Sequence, residues 1–170
     1  VDAENSTHIN ADSVGREQLT RRIVSLGKDF LTQLKDTEDY PLIRLLSKGT
    51  EPNGKTYKLK TEEVKIFSSR ENFSFATKFC HYACFFIFEE NDTEYRDSYS
   101  IYDYVVSNAL KEHYGFIDME RNSIEMSDNF YVEKYQNYQR KVDDIRGDVV
   151  SRNGFDHLMW YYYKGRGKHI

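Results

Sequence analysis

Cysteine is scarce in this chain: Cys80 and Cys84 are the only two among 170 residues. Four apart, they share a helical face, but no second cysteine or histidine pair stands at ligand spacing, so a zinc site is not expected. Two buried thiols without a disulfide framework point instead to a reducing compartment. Positive charge is not in excess either, because 24 Lys and Arg stand against 28 Asp and Glu for a formal net charge of −4. That balance does not advertise a nucleic-acid binder, although binding depends on where the charge sits. Long hydrophobic runs are also missing. The longest, around 79–88, is too short to cross a bilayer, and no secretory signal pattern is read at the start. The expectation is an intracellular protein of bacterial-type cytoplasmic character, without membrane association. Proline is rare at 2 residues, whereas rings are plentiful, with 14 Tyr and 11 Phe. Rings in such number fill a core or line a site that stacks flat ligands.

The length suits one domain that buries a core without disulfides or metal. Residues 1–12 are polar and aperiodic and read as a flexible lead-in, 13–163 as a helical domain, and 164–170 as a basic tail. Leu19, Ile23, Leu26, Phe30 and Leu34 recur at three- and four-residue steps, which predicts an amphipathic helix over about 16–35. A short helix over 40–47 follows, with Pro41 in its first turn and a stop at Lys48-Gly49. Asn53-Gly54 is a turn that closes one short hairpin if 57–59 is a strand. Thr61, followed by Glu62 and Glu63, predicts a capped third helix.

The stretch from Phe79 to Phe88 is apolar or aromatic except at His81. Apolar on every side, it predicts a helix buried among others, starting near Ser68 or nearer Asn72, with Lys78 at its polar entrance. An acidic turn over 89–97 leads to a second helix from about Tyr102 to Tyr114, with Asp103 at its mouth. The connection over 116–126 is a short strand or an irregular loop. A helix over 130–146 carries Tyr131, Tyr135 and Tyr138 on one side and ends at Gly147. A last, ring-rich helix over 155–163 begins after Asn153-Gly154.

A lysine is a nucleophile only as the neutral amine, which burial and a nearby positive field favour, so Lys78 is a candidate. Asp103 is an N-cap candidate whose fixed carboxylate suits the stabilisation of a neighbouring cation.

Ser74-Phe-Ala-Thr-Lys78, then a buried helix, then Ile101-Tyr-Asp103-Tyr-Val-Val-Ser-Asn-Ala-Leu110, resembles the helix-hairpin-helix DNA glycosylase superfamily, in particular divergent 8-oxoguanine glycosylase-like members. That family shows a Gly-Val-Gly-x-Lys hairpin, an apolar helix, and Val-Asp-Thr-His-Val opening the next helix. Here Ser74 and Ala76 stand in the places of the hairpin glycines, and Tyr104 replaces the small residue after the aspartate. The likeness covers about a third of the chain.

The resemblance implies a mainly α, single-domain fold and removal from duplex DNA of a damaged or modified base, such as 8-oxoguanine, that is turned out into a pocket. Lys78 would be the Schiff-base nucleophile, Asp103 its partner, and His81 a tuner of the amine or a proton shuttle. Trp160 and Tyr161 would stack on the base. Arg140, Lys141, Arg146, Lys164, Arg166 and Lys168 would contact phosphates. No cofactor or metal is implied. The other expectation the sequence allows is a helical DNA-binding or protein-interaction module without catalysis.

Overall fold

The amphipathic stretch that opens the chain does not form one continuous helix. In the computed structural model it divides into α1 (Ser13–Ser25), a 3-10 turn over Gly27–Asp29, and α2 (Phe30–Lys35). Gly27 takes φ +50°, a conformation other L-residues rarely adopt, and it interrupts the ladder. The structure describes residues 13–48, 56–59, 62–65, 72–120 and 129–164. Pro41 starts α3 (Pro41–Ser47), where its missing N–H costs nothing.

Strand β1 (Thr56–Leu59) pairs antiparallel with β2 (Glu62–Lys65), Tyr57 opposite Val64. β1 thus pairs with the segment that follows it, and the turn expected at Asn53-Gly54 lies outside the described residues. The helix expected from Thr61 is corrected to a strand at 62–65. Acidic residues after a threonine mimic a helix first turn, but pairing with the strand just before them, Thr56–Leu59, decides otherwise.

Helix α4 (Phe73–Ile87) starts one residue past Asn72. Ser74 and Ala76 are thus helical, not part of a hairpin, and neither takes a positive φ. One face, with Ala76, Thr77, Cys80, His81 and Cys84, is buried, but Phe86 and Ile87 are exposed. The expectation of a helix buried all round is corrected: its last turns lie at the surface, where Phe86 stacks on Tyr82 and meets Phe85 edge-on. The guanidinium of Arg96 covers Phe85 at 4.1 Å.

The chain then passes a 3-10 turn (Thr93–Tyr95) and an extended segment into α5 (Tyr104–Tyr114), which Gly115 ends at φ +67°. After the connection come α6 (Phe130–Arg146) and α7 (Arg152–Tyr163). The expected start of α7 after Asn153-Gly154 moves earlier, because Ser151 caps the helix by accepting the Gly154 N–H at 2.9 Å. Buried side chains from Leu19 to Met159 form one cluster. Helix α3 packs on α4 and α6, and α7 packs on α5 and α6. The result is a mainly helical single domain. Among the described residues, no helix is long and apolar enough to cross a membrane.

Candidate active site

Asp103 hangs on a segment with no regular structure, so its position depends on tertiary bonds. Residues Ser98 to Ile101 are buried, and buried backbone groups need partners. Helix α6 supplies them from Tyr135, Tyr138 and Gln139, positions i, i+3 and i+4 on one face. The Tyr135 hydroxyl accepts the Ser100 N–H at 2.8 Å and donates to the Ser100 carbonyl at 3.0 Å. Tyr138 donates to the Ile101 carbonyl at 2.6 Å, and Gln139 donates to that of Ser98 at 2.9 Å. From α4, the Thr77 hydroxyl oxygen accepts the Tyr102 N–H at 3.1 Å. Asp103 then caps α5, its Oδ1 accepting the Val105 N–H at 2.8 Å.

The other carboxylate oxygen, Oδ2, lies 3.2 Å from Lys78 Nζ. Residues 25 apart in sequence are thereby brought into one ion pair. Lys78 is 3% exposed and stands in the second turn of α4, so its expected place at the helix entrance is corrected to the interior. The Asp103 side chain is 17% exposed against 4% for that of Lys78.

A third ionisable group belongs to this cluster, and it was missed in the sequence. Asp156, on α7, is 8% exposed, and its Oδ1 has no hydrogen-bond partner among the described residues. Burial and the neighbouring Asp103 carboxylate push its pKa up to about 7, against the opposing pull of Lys78. The available signal was a lone acid on the apolar stripe of Phe155, Met159 and Tyr163. Two contacts fix α7 where Asp156 needs it. The Asp97 carboxylate accepts the Arg152 and Asn153 N–H groups at 2.6 and 2.9 Å, and Arg152 also donates to Asp143 at 2.7 Å.

His81 sits one turn beyond Lys78, but both ring nitrogens are engaged elsewhere. Nδ1 donates to the Tyr99 carbonyl at 2.7 Å, and Nε2 lies 3.1 Å from the Asn153 side-chain amide. The Asn153 atom facing Nε2 is the side-chain oxygen Oδ1, and burial holds the pKa of the ring below the ordinary value. Its surroundings are those of a core histidine joining α4, the 98–103 segment and α7. Cys80 and Cys84 are buried free thiols whose pKa values burial pushes up, that of Cys84 to about 12. Neither is a reactive thiolate.

Helices α5 and α7 pack on each other, with His113 and Tyr163 stacked at 5.0 Å near their C-terminal ends, and Asp156 feels the charge of Asp103. Trp160 lies one turn past Asp156 and is packed against the core, with the Lys164 ammonium 3.5 Å from its ring centroid. Tyr161 points outward and is exposed. Among the expected phosphate contacts, Arg140 and Lys164 are exposed and Lys141 is half-buried. Arg146 is tied to Asp143 at 2.7 Å and to the Gly147 and Val150 carbonyls, which fits a role in ending α6. Arg166 and Lys168 lie outside the described residues.

Set against known protein families, curated proteins and solved structures, the chain matches none. What the site can do rests on its own chemistry. A buried amine paired with a capping carboxylate, beside a second acid that titrates near neutrality, suits nucleophilic attack with proton transfer. Among the described residues, no group of three or more His, Cys, Asp or Glu is placed to hold a metal ion.

Proposed function

We propose that this protein is a DNA glycosylase with lyase capacity that removes a damaged or modified base, such as 8-oxoguanine, through Lys78 and Asp103. The observation that carries it is the 3.2 Å approach of Lys78 Nζ to Asp103 Oδ2, with the amine buried and the carboxylate fixed by its cap. With the nucleotide turned out of the stack, Asp103 takes the proton that frees the Lys78 amine. The amine then bonds to the sugar C1′ while the glycosidic bond breaks, and the departing base keeps that electron pair and gains a proton. Asp156, poised between its two forms near neutral pH, is a proton source within the cluster. Loss of the amine's second proton and opening of the sugar ring leave an imine, from which elimination of the 3′ phosphate cuts the strand. The exposed Arg140 and Lys164 and the half-buried Lys141 supply phosphate contacts, whose contribution falls as salt rises.

The test is borohydride trapping on duplexes carrying an abasic site or 8-oxoguanine. A covalent adduct with the wild-type chain, lost in Lys78→Gln, is expected. The burial of Lys78 at 3% exposure favours a second reading, a non-catalytic binding module in which the ion pair is a strut. Salt-sensitive DNA binding without any adduct would establish that reading and overturn the first.

A further inference from the structure

Directly after Asp103, α5 opens with an aromatic ring that the fold does not use. Tyr104 is 77% exposed, and among the described residues its side chain has neither a hydrogen bond nor a ring contact. Its neighbour Tyr102 shows the contrast, since that ring packs on Phe73 at 4.9 Å and its hydroxyl donates to Asp118. The backbone of Tyr104 is nevertheless held firmly. The Asp103 side chain accepts from Val105 N at 2.8 Å, and the Asp103 carbonyl accepts from Ser107 N at 2.8 Å. In a helix the Cα–Cβ bond tilts toward the N-terminus, so a side chain at this first position leans toward the Asp103 end and not along α5. The exposed rings of α7, Tyr161 and Tyr162, lie five and six residues beyond Asp156, about 7.5 Å or more further along its helix axis.

We propose that Tyr104 is a specificity-determining residue that stacks on the base next to the position vacated when a nucleotide is turned out toward Lys78. This inference rests on the glycosylase reading. Extruding a nucleotide from a duplex breaks two stacking contacts and leaves a gap. A flat, exposed ring at a capped helix end, on the residue directly after Asp103, restores one of them without ordering any further segment. The carboxylate that receives the sugar and the ring that fills the gap are then consecutive residues, so one capped helix terminus sets both. A single strand has no stack to open, and the ring gains little there.

The experiment compares the rate of borohydride adduct formation on an abasic duplex and on the same abasic strand alone, using the full chain. Tyr104→Ala is expected to slow adduct formation on the duplex by about 10- to 100-fold, as loss of one base–aromatic stack implies. On the single strand the change should stay within about threefold, and Tyr104→Phe should behave as wild type on both. Unaltered thermal unfolding of the variants checks the fold, as an exposed ring predicts. Equal duplex rates for Tyr104→Ala and wild type, or equal losses on both substrates, overturn the inference while leaving the lysine chemistry intact. Absence of a wild-type adduct on either substrate sinks the glycosylase reading and this inference with it.

Discussion

The hydroxyl oxygen of Thr77 accepts the N–H of Tyr102 at 3.1 Å, joining the residues that immediately precede Lys78 and Asp103. Both couples, 77 with 102 and 78 with 103, are 25 apart in sequence, so this one bond sets the register in which amine and carboxylate meet. Thr77 is fully buried, and its own hydroxyl hydrogen goes to the Ser74 carbonyl at 3.0 Å. The acceptor lone pair facing Tyr102 is therefore fixed in direction.

Replacing Thr77 by Val keeps the shape and removes that acceptor, leaving a buried N–H unpaired. We expect a loss of about 1–3 kcal/mol in urea unfolding, because an orphaned buried donor loses its hydration without compensation. Thr77→Ser should recover most of it. Trapping by Thr77→Val should slow even at temperatures where the variant is fully folded, because Asp103 is no longer held against Lys78. Unchanged trapping would show that the α6 bonds alone position Asp103.

The hydroxyls of Tyr135 and Tyr138 serve unequal numbers of backbone groups. Tyr135 satisfies both the N–H and the carbonyl of Ser100, whereas Tyr138 satisfies only the carbonyl of Ile101. Tyr135→Phe should therefore destabilise by about 2–3 kcal/mol and Tyr138→Phe by about 1 kcal/mol. Chemical denaturation of the two variants reads the order directly. A larger loss from Tyr138→Phe would mean that the 98–103 segment is anchored nearer Asp103 than these bonds indicate.

Asp156 should report on both members of the ion pair. Lys78 lowers its pKa and Asp103 raises it from where burial alone would leave it. In a carboxyl carbon NMR titration, Lys78→Gln should move the Asp156 midpoint above its position near 7, and Asp103→Asn should move it below. Shifts in the same direction would separate Asp156 from the pair.

Where local pattern and tertiary packing agree, the helices were legible: the ring stripe of Tyr131, Tyr135 and Tyr138 and the stop at Gly147 define α6 as the structure shows it. The amphipathic stripe from Leu19 to Leu34 hid the break at Gly27, because hydrophobic spacing continues across a residue whose backbone does not. Glu62 and Glu63 misled for the opposite reason. Their local signal is helical, and only pairing with Thr56–Leu59 makes them a strand. The convergence of Lys78 on Asp103 was suggested by a family likeness and not by any periodicity. Asp156 stayed hidden because a single acid among rings carries no spacing signal, and its effect arises only when α5 and α7 lie together.

The raised pKa of Asp156 has a definite consequence for stability. Its carboxyl has a pKa of about 7 in the folded protein and an ordinary value of 3.8, so the folded state retains a proton that the unfolded chain releases. The contribution is complete below about pH 4, falls as pH rises through the interval to about 7, and is gone above it. A gap of about 3 units corresponds to a swing on the order of 4 kcal/mol. Asp156→Asn has the shape of the protonated acid and no proton to lose. Its stability relative to wild type should be near zero at pH 4 and should rise by a few kcal/mol toward pH 8. Taking the difference between the two proteins removes the parallel titration of His81, whose lowered pKa gives its own pH dependence. Urea unfolding at pH 4.5, 6 and 8 measures that difference. Parallel curves across the interval would show that the Asp156 carboxyl is ionised at neutral pH, and with that its place as a proton source for the departing base would fall.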